Sequence, residues 1–109
     1  MATTYKVLGQ VNPSATTNTT LYTCPASTQT VISTITICNQ AGTSGTYRIA
    51  IRPNGATISA EHYIDYDASV PANSTTAYTL GMTIDASDVV TVYASSANMS
   101  FNAFGSEIA

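Results

Sequence analysis

The sequence predicts an all-β protein: a single antiparallel β-sandwich, jelly-roll or immunoglobulin-like, of about eight short strands. Three observations predict it. The run from Val31 to Asn39 is a dense block of Ile and Thr, residues that lose rotamer freedom in a helix and pack well on a pleated surface. The stretch from Thr76 to Ile84 alternates small polar residues with Tyr78, Leu80, Met82 and Ile84, the period of a strand with one buried face. Turn signals recur about every ten residues, and no segment carries helical periodicity.

In chain order, Tyr5 to Val11 reads as a first strand or an N-terminal arm, stopped by Asn12-Pro13-Ser14 because proline cannot donate to a ladder. Thr20 to Cys24 is a short strand closed by Pro25. Val31 to Asn39 is the central strand. Strict alternation along it places Ile35 and Ile37 on one face and Ile32, Thr34, Thr36 and Cys38 on the other. A Gly-rich loop, Gln40 to Gly45, leads to Thr46–Arg52, where Tyr47, Ile49 and Ile51 face the core and Arg48, Ala50 and Arg52 face solvent or a partner. Pro53-Asn54-Gly55 is a turn. Ala60 to Asp67 reads as a strand with His62, Ile64 and Tyr66 on one face and Tyr63, Asp65 and Asp67 on the other. Val89 to Ala94 and Met99 to Gly105 close the fold, Met99, Phe101 and Ala103 sharing a face. The expected core is Ile35, Ile37, Ile49, Ile51, Leu80, Met82, Val90, Val92 and Phe101.

At 109 residues the chain is one domain, residues 1–109, with 1–11 as the possible arm, and it is long enough to bury a core without staples. Only 8% of residues are charged, against about 25% in an average soluble domain, so Thr, Ser, Ala and Asn must form most of the surface. That composition points towards a component of an assembly. Three basic residues against six acidic ones provide no field to hold a phosphate backbone, which argues against nucleic acid as a partner. The N-terminus lacks the pattern of a signal peptide and no run has the length of a membrane span, so neither secretion nor a membrane anchor is expected. Cys24 and Cys38 lie far from zinc or redox spacing. They are expected as buried free thiols, although their places near strand ends leave a disulfide open.

Catalytic and metal-binding patterns are thin. His62 is the only histidine, and no Ser or Cys is placed to be its nucleophile, so a structural role is expected. Asp65 and Asp67, two residues apart with Glu61 nearby, are the one carboxylate cluster that could offer oxygen ligands or an acid/base pair, but the spacing and glycine of a calcium loop are missing and a solvated strand edge is expected. No enzyme, cofactor or metal is expected. Exposed tyrosines among Tyr47, Tyr63, Tyr66, Tyr78 and Tyr93 would suit a sugar- or protein-binding face.

Taken together, Thr20-Leu21-Tyr22-Thr23-Cys24-Pro25-Ala26, Val31 to Asn39, Thr46 to Pro53, His62-Tyr63-Ile64, Asp88 to Ala94 and Phe104-Gly105 resemble, in order over nearly the whole chain, a family of small virion proteins of tailed bacteriophages. The resemblance implies a small β-sandwich structural protein, either capsid decoration (cement) or tail and fibre, made in the host cytoplasm and carried in the virion, with no catalytic residues. The first expectation is a decoration protein on the outer capsid surface that bridges copies of the major capsid protein, seated as a homotrimer at threefold positions. The second is a tail or fibre module binding a host polysaccharide or receptor. The candidate interaction residues are Tyr5, Lys6 and Val7 in the arm, which could add a strand to a neighbour's edge, and Tyr63, Asp65, Tyr66 and Asp67.

Overall fold

The structure, a computed structural model, describes residues 2–79 and 81–109. These residues form nine strands: β1 (Thr3–Val11), β2 (Thr19–Thr23), β3 (Gln29–Asn39), β4 (Gly45–Arg52), β5 (Tyr63–Val70), β6 (Ser74–Tyr78), β7 (Met82–Ile84), β8 (Val89–Ala94) and β9 (Met99–Ile108). Between β4 and β5 the chain makes two 3-10 turns, Pro53–Gly55 and Ala60–His62. The turn read at Pro53 is present, with Asn54 and Gly55 both at positive φ.

Every pairing is antiparallel. A five-stranded sheet runs β1-β9-β3-β6, with β7 also on β3, and a four-stranded sheet runs β2-β8-β4-β5. The pairs are nested: β4 with β5, β3 with β6 and β7, β2 with β8, β1 with β9, and successive pairs alternate between sheets. One long hairpin rolled across itself gives this order, which is that of a jelly roll rather than an immunoglobulin fold. Both chain ends meet, since Ala2 and Ala109 exchange backbone hydrogen bonds at 2.7 and 2.9 Å.

β3 is central, between β9 and β6/β7, but its faces are not those of strict alternation. Ile32, Ile35 and Ile37 are all fully buried. The cause is a bulge at Ser33: from Ile32 to Ile35, β3 takes three steps while β9 takes two (Gly105 to Ala103) and the outer strands take four (Met82 to Tyr78). The extra residue reverses the parity, so Thr30 and Ile32 before it and Ile35, Ile37 and Asn39 after it all point inward. The placement of Ile32 opposite Ile35 is corrected accordingly. Gly105 faces this bulge, where a Cβ would lie 2.0 Å from the Val31 carbonyl oxygen. Gly9 plays the same part where β1 crosses β2, with the Leu21 carbonyl oxygen 2.1 Å from where its Cβ would be.

The core lies between the sheets. Ile32, Ile35, Ile37, Met99, Phe101 and Ala103 meet Tyr47, Ile49, Val70, Val90, Val92 and Ala94, with the Tyr47 and Phe101 rings edge-on at 6.3 Å. Ile51 and Met82 pack against this core half-buried, and Leu80 is outside the described residues. The single strand expected over Thr76–Ile84 is two, β6 and β7, separated at Gly81 (φ 65°) where the sheet fans around the β3 bulge. The strand expected from Ala60 begins instead at Tyr63, because Ala60–His62 is a turn in which the Ser59 N–H donates to His62 Nδ1 at 3.1 Å. His62 is thereby engaged in a local cap. Cys24 and Cys38 are both free thiols: Cys24 is buried beside Thr30 on the inner side, while Cys38 lies on the outward parity of β3.

Candidate functional site

Surface chemistry divides between the outer faces of the two sheets. On the four-stranded sheet, Arg48 of β4 stands directly opposite Tyr93 of β8, and a bulge in the β4–β5 pairing brings Tyr66 and Asp67 to its other side. The guanidinium carbon sits 4.1 Å from the Tyr66 ring centroid and 4.2 Å from that of Tyr93. Arg48 Nε donates to Asp67 Oδ1 at 2.7 Å, and that hydrogen bond holds the guanidinium in its charged form. Tyr63 packs edge-on against Tyr66, centroids 4.9 Å apart, and these two rings with Ile58, Ser59 and Ala60 line an open groove of about 460 Å³.

The same face is partly roofed by its own chain. Arg52 Nε donates to Thr91 Oγ1 at 3.0 Å and its Nη1 to the carbonyls of Gly55 and Ala56, which pins residues 53–56 across β8. Val89, Thr91 and Ala50 are buried as a result. Arg48, Ala50 and Arg52 do lie on the outer face as expected, but part of what they meet there is neither solvent nor a partner but the chain's own 53–56 loop.

Asp65 and Asp67 do not share a face. Asp67 is the bulged residue, at φ 52°, and its carboxylate turns outward to Arg48, whereas Asp65, opposite Ile49, turns inward. One extra residue in β5 is enough to separate two carboxylates that strict alternation would pair. Inside, Asp65 faces the linked hydroxyls of Tyr47 and Tyr78, and its Oδ2 is buried with no hydrogen-bond partner among the described residues. Burial pushes the Asp65 carboxyl up, partly offset by the neighbouring Tyr78 hydroxyl. Burial likewise pushes the Tyr47 phenol up. Among the described residues no three His, Cys, Asp or Glu side chains converge as metal ligands would.

The five-stranded sheet presents a different surface. Its strands contain two charged residues, Lys6 and Glu107, which pair with each other at 3.2 Å on the inner side. Glu107 there also accepts from the Tyr22 hydroxyl at 2.5 Å, the contact that does most to hold its carboxyl below the usual range. Outward point Thr34, Thr36 and Cys38 of β3, Thr75 and Ala77 of β6, Ser100, Asn102 and Phe104 of β9, and Tyr5 and Val7 of β1. No charged side chain lies on this outer face among the described residues. Tyr5 is 83% exposed and Val7 46%.

The candidate residues thus fall into two groups. Tyr5 and Val7 lie on the uncharged face at the β1 edge, where Lys6, between them, turns to the inner side. Tyr63, Tyr66 and Asp67 come together around Arg48, and Asp65 leaves them for the interior. Sequence reasoning missed Arg48 and Tyr93 as the centre of the second group. Their one sequence signal is outward parity on two neighbouring strands, which becomes informative only once β4 and β8 are known to pair. Comparison with known proteins finds no family model and no curated protein that matches the chain.

Proposed function

We propose that this chain is a structural subunit of a bacteriophage virion, a decoration protein that seats the outer face of its five-stranded sheet on the capsid shell. The observation that carries the reading is the absence of charge from that face. A free sheet surface of this breadth ordinarily carries charges that keep it soluble and discourage unwanted pairing. Here Thr, Ser, Asn, Ala and a few apolar residues offer short side chains for close packing and hydrogen bonding, and the 8% charge content of the whole chain is the same property written in composition. The jelly roll also builds viral capsid domains, an analogy of fold alone.

Because the contact would be apolar and hydrogen-bonded, attachment should change little between low and moderate salt, where binding through charged patches would weaken. The test is incubation of the purified chain with capsids lacking it, followed by reconstruction of the particle. Density on the outer shell with the five-stranded sheet facing inward supports the reading. Density confined to the tail or its fibres transfers the protein to the second reading, a module binding the host surface. The feature that favours that alternative is the exposed groove beside Tyr63 and Tyr66.

A further inference from the structure

We infer that the free edge of β1 is a self-association strand, pairing antiparallel with β1 of a second copy across a twofold axis centred on Tyr5. The hydrogen-bond parity of β1 sets the register. Ala2 and Ala109 exchange both of their backbone bonds, and hydrogen-bonded pairs recur at every second residue of an antiparallel ladder. Thr4, opposite Glu107, and Lys6, opposite Gly105, therefore spend their N–H and C=O groups on β9. Those of Thr3, Tyr5 and Val7 point away from the sheet. The open edge ends there, because past the bulge beside Leu8 the strand runs against Leu21 of β2 at Gly9.

A five-residue edge whose first, third and fifth residues offer both groups is complementary to itself. Antiparallel pairing centred on Tyr5 sets Thr3 against Val7, Tyr5 against Tyr5 and Val7 against Thr3. Two bonds in each of these three pairs satisfy all the open groups, about six bonds in total. Shifting the centre to Thr4 or Lys6 loses a pair, and the Lys6 centre also sets two ammonium groups face to face. In the Tyr5 register Lys6 lies opposite Thr4 and keeps its ion pair with Glu107. Natural edge strands are blunted by proline, by charge, above all lysine or charge turned inward, by bulges or by cover. Thr3–Val7 contains no proline, its one charge, Lys6, is engaged by Glu107, and the bulge lies past Val7 where the open edge stops, so Tyr5 and Val7, exposed at its flank, would gain a cross-strand partner on the outer face. Pairing joins the two uncharged faces into one continuous surface, and the twofold closes the contact so that it does not propagate into a fibre. The pairing is a twofold alternative to the threefold association expected from the sequence.

The test uses the isolated full chain, so its outcome is separate from capsid attachment. Sedimentation equilibrium up to about 0.1 mM should give a monomer–dimer equilibrium. Tyr5→Pro should weaken it at least tenfold while leaving the circular dichroism unchanged, since that N–H is not used within the fold. Register is read by cross-linking in a Cys38→Ser background. Tyr5→Cys should form a disulfide dimer under mild oxidation, its α-carbons being about 5.5 Å apart across the twofold. Thr4→Cys, which would face Lys6, should not. A wild-type chain that is monomeric throughout that range or trimeric, a Tyr5→Pro variant that still dimerises, or equal cross-linking at the two positions would each overturn the inference.

Discussion

The two outer faces of this sandwich are made from the same sparse supply of charge and use it in opposite ways. The four-stranded sheet holds both arginines, ties one to Asp67 between two tyrosine rings and the other to the loop that crosses it. The five-stranded sheet sends its only two charged side chains inward to each other and leaves Thr, Ser and Asn outside. One face is closed by its own chain and stabilised internally. The other makes few contacts beyond its backbone ladder, so its composition answers to something outside the chain. Substitutions on the first face should therefore be felt in stability, and those on the second should not.

The core beneath both faces sets the scale. Ile35→Ala, under the five-stranded sheet, should cost about 2–5 kcal/mol by denaturant unfolding, as fully buried large-to-small changes do. A loss below about 0.5 kcal/mol would mean that Ile35 does not lie in the core between the sheets. Next in size is Arg48→Ala, which removes two cation–π contacts and a partly exposed ion pair and should cost about 1–2 kcal/mol. Lys6→Ala, losing one ion pair whose lysine end is exposed, should cost no more than about 1 kcal/mol. Equal losses at the two positions would show that the arginine–tyrosine row does not stabilise its sheet.

Why some of this was legible in the sequence and some was not comes down to bulges. Composition and turn spacing carry the all-β class, because residue type decides strand over helix locally. Alternation correctly places Tyr47, Ile49, Val90, Val92 and Phe101, which lie in stretches of unbroken parity. It fails at Ser33 and Asp67. A bulge adds one residue to one strand and is visible only against the partner strand, so Ile32 was assigned to the wrong face and Asp65 was joined to Asp67. Tyr5 and Tyr66, which are exposed, and the half-buried Tyr63 could be picked out as aromatic. Arg48 and Tyr93 could not be joined without the pairing of β4 with β8.

The bulge in β5 also has a pH consequence. Asp65 is turned inward and its carboxyl is raised, so the folded state holds this proton more tightly than the unfolded chain. Ionising it costs stability, which is present at low pH and lost as pH rises from the ordinary carboxylate range through the raised value. Glu107, lowered by Tyr22 and then by Lys6, has the opposite sign: its contribution is present above the ordinary range and lost as pH falls through the lowered value. In melting profiles from pH 3 to 7, Asp65→Asn should remove a fall in stability with rising pH, and Glu107→Gln should remove a rise. An unchanged profile for Asp65→Asn would mean that the carboxyl is not held inside.

The smallest expected effect on stability belongs to Thr36→Lys, and it tests the comparison most directly. Thr36 sits in the middle of the uncharged face, between Asn102 and Ala77 on the neighbouring strands, pointing outward. A lysine there can extend into water without breaking a hydrogen bond or opening a cavity, so unfolding should shift by only about 0.5 kcal/mol. Attachment should respond quite differently. An ammonium placed at the centre of a dry contact must be desolvated without a partner, and it should cut capsid binding at least a hundredfold, equivalent to about 2.8 kcal/mol. Arg48→Ala should show the reverse pattern, losing stability while binding at the wild-type level. A Thr36→Lys protein that decorates capsids normally would show that the uncharged face stays in water, and would leave its missing charge without a function.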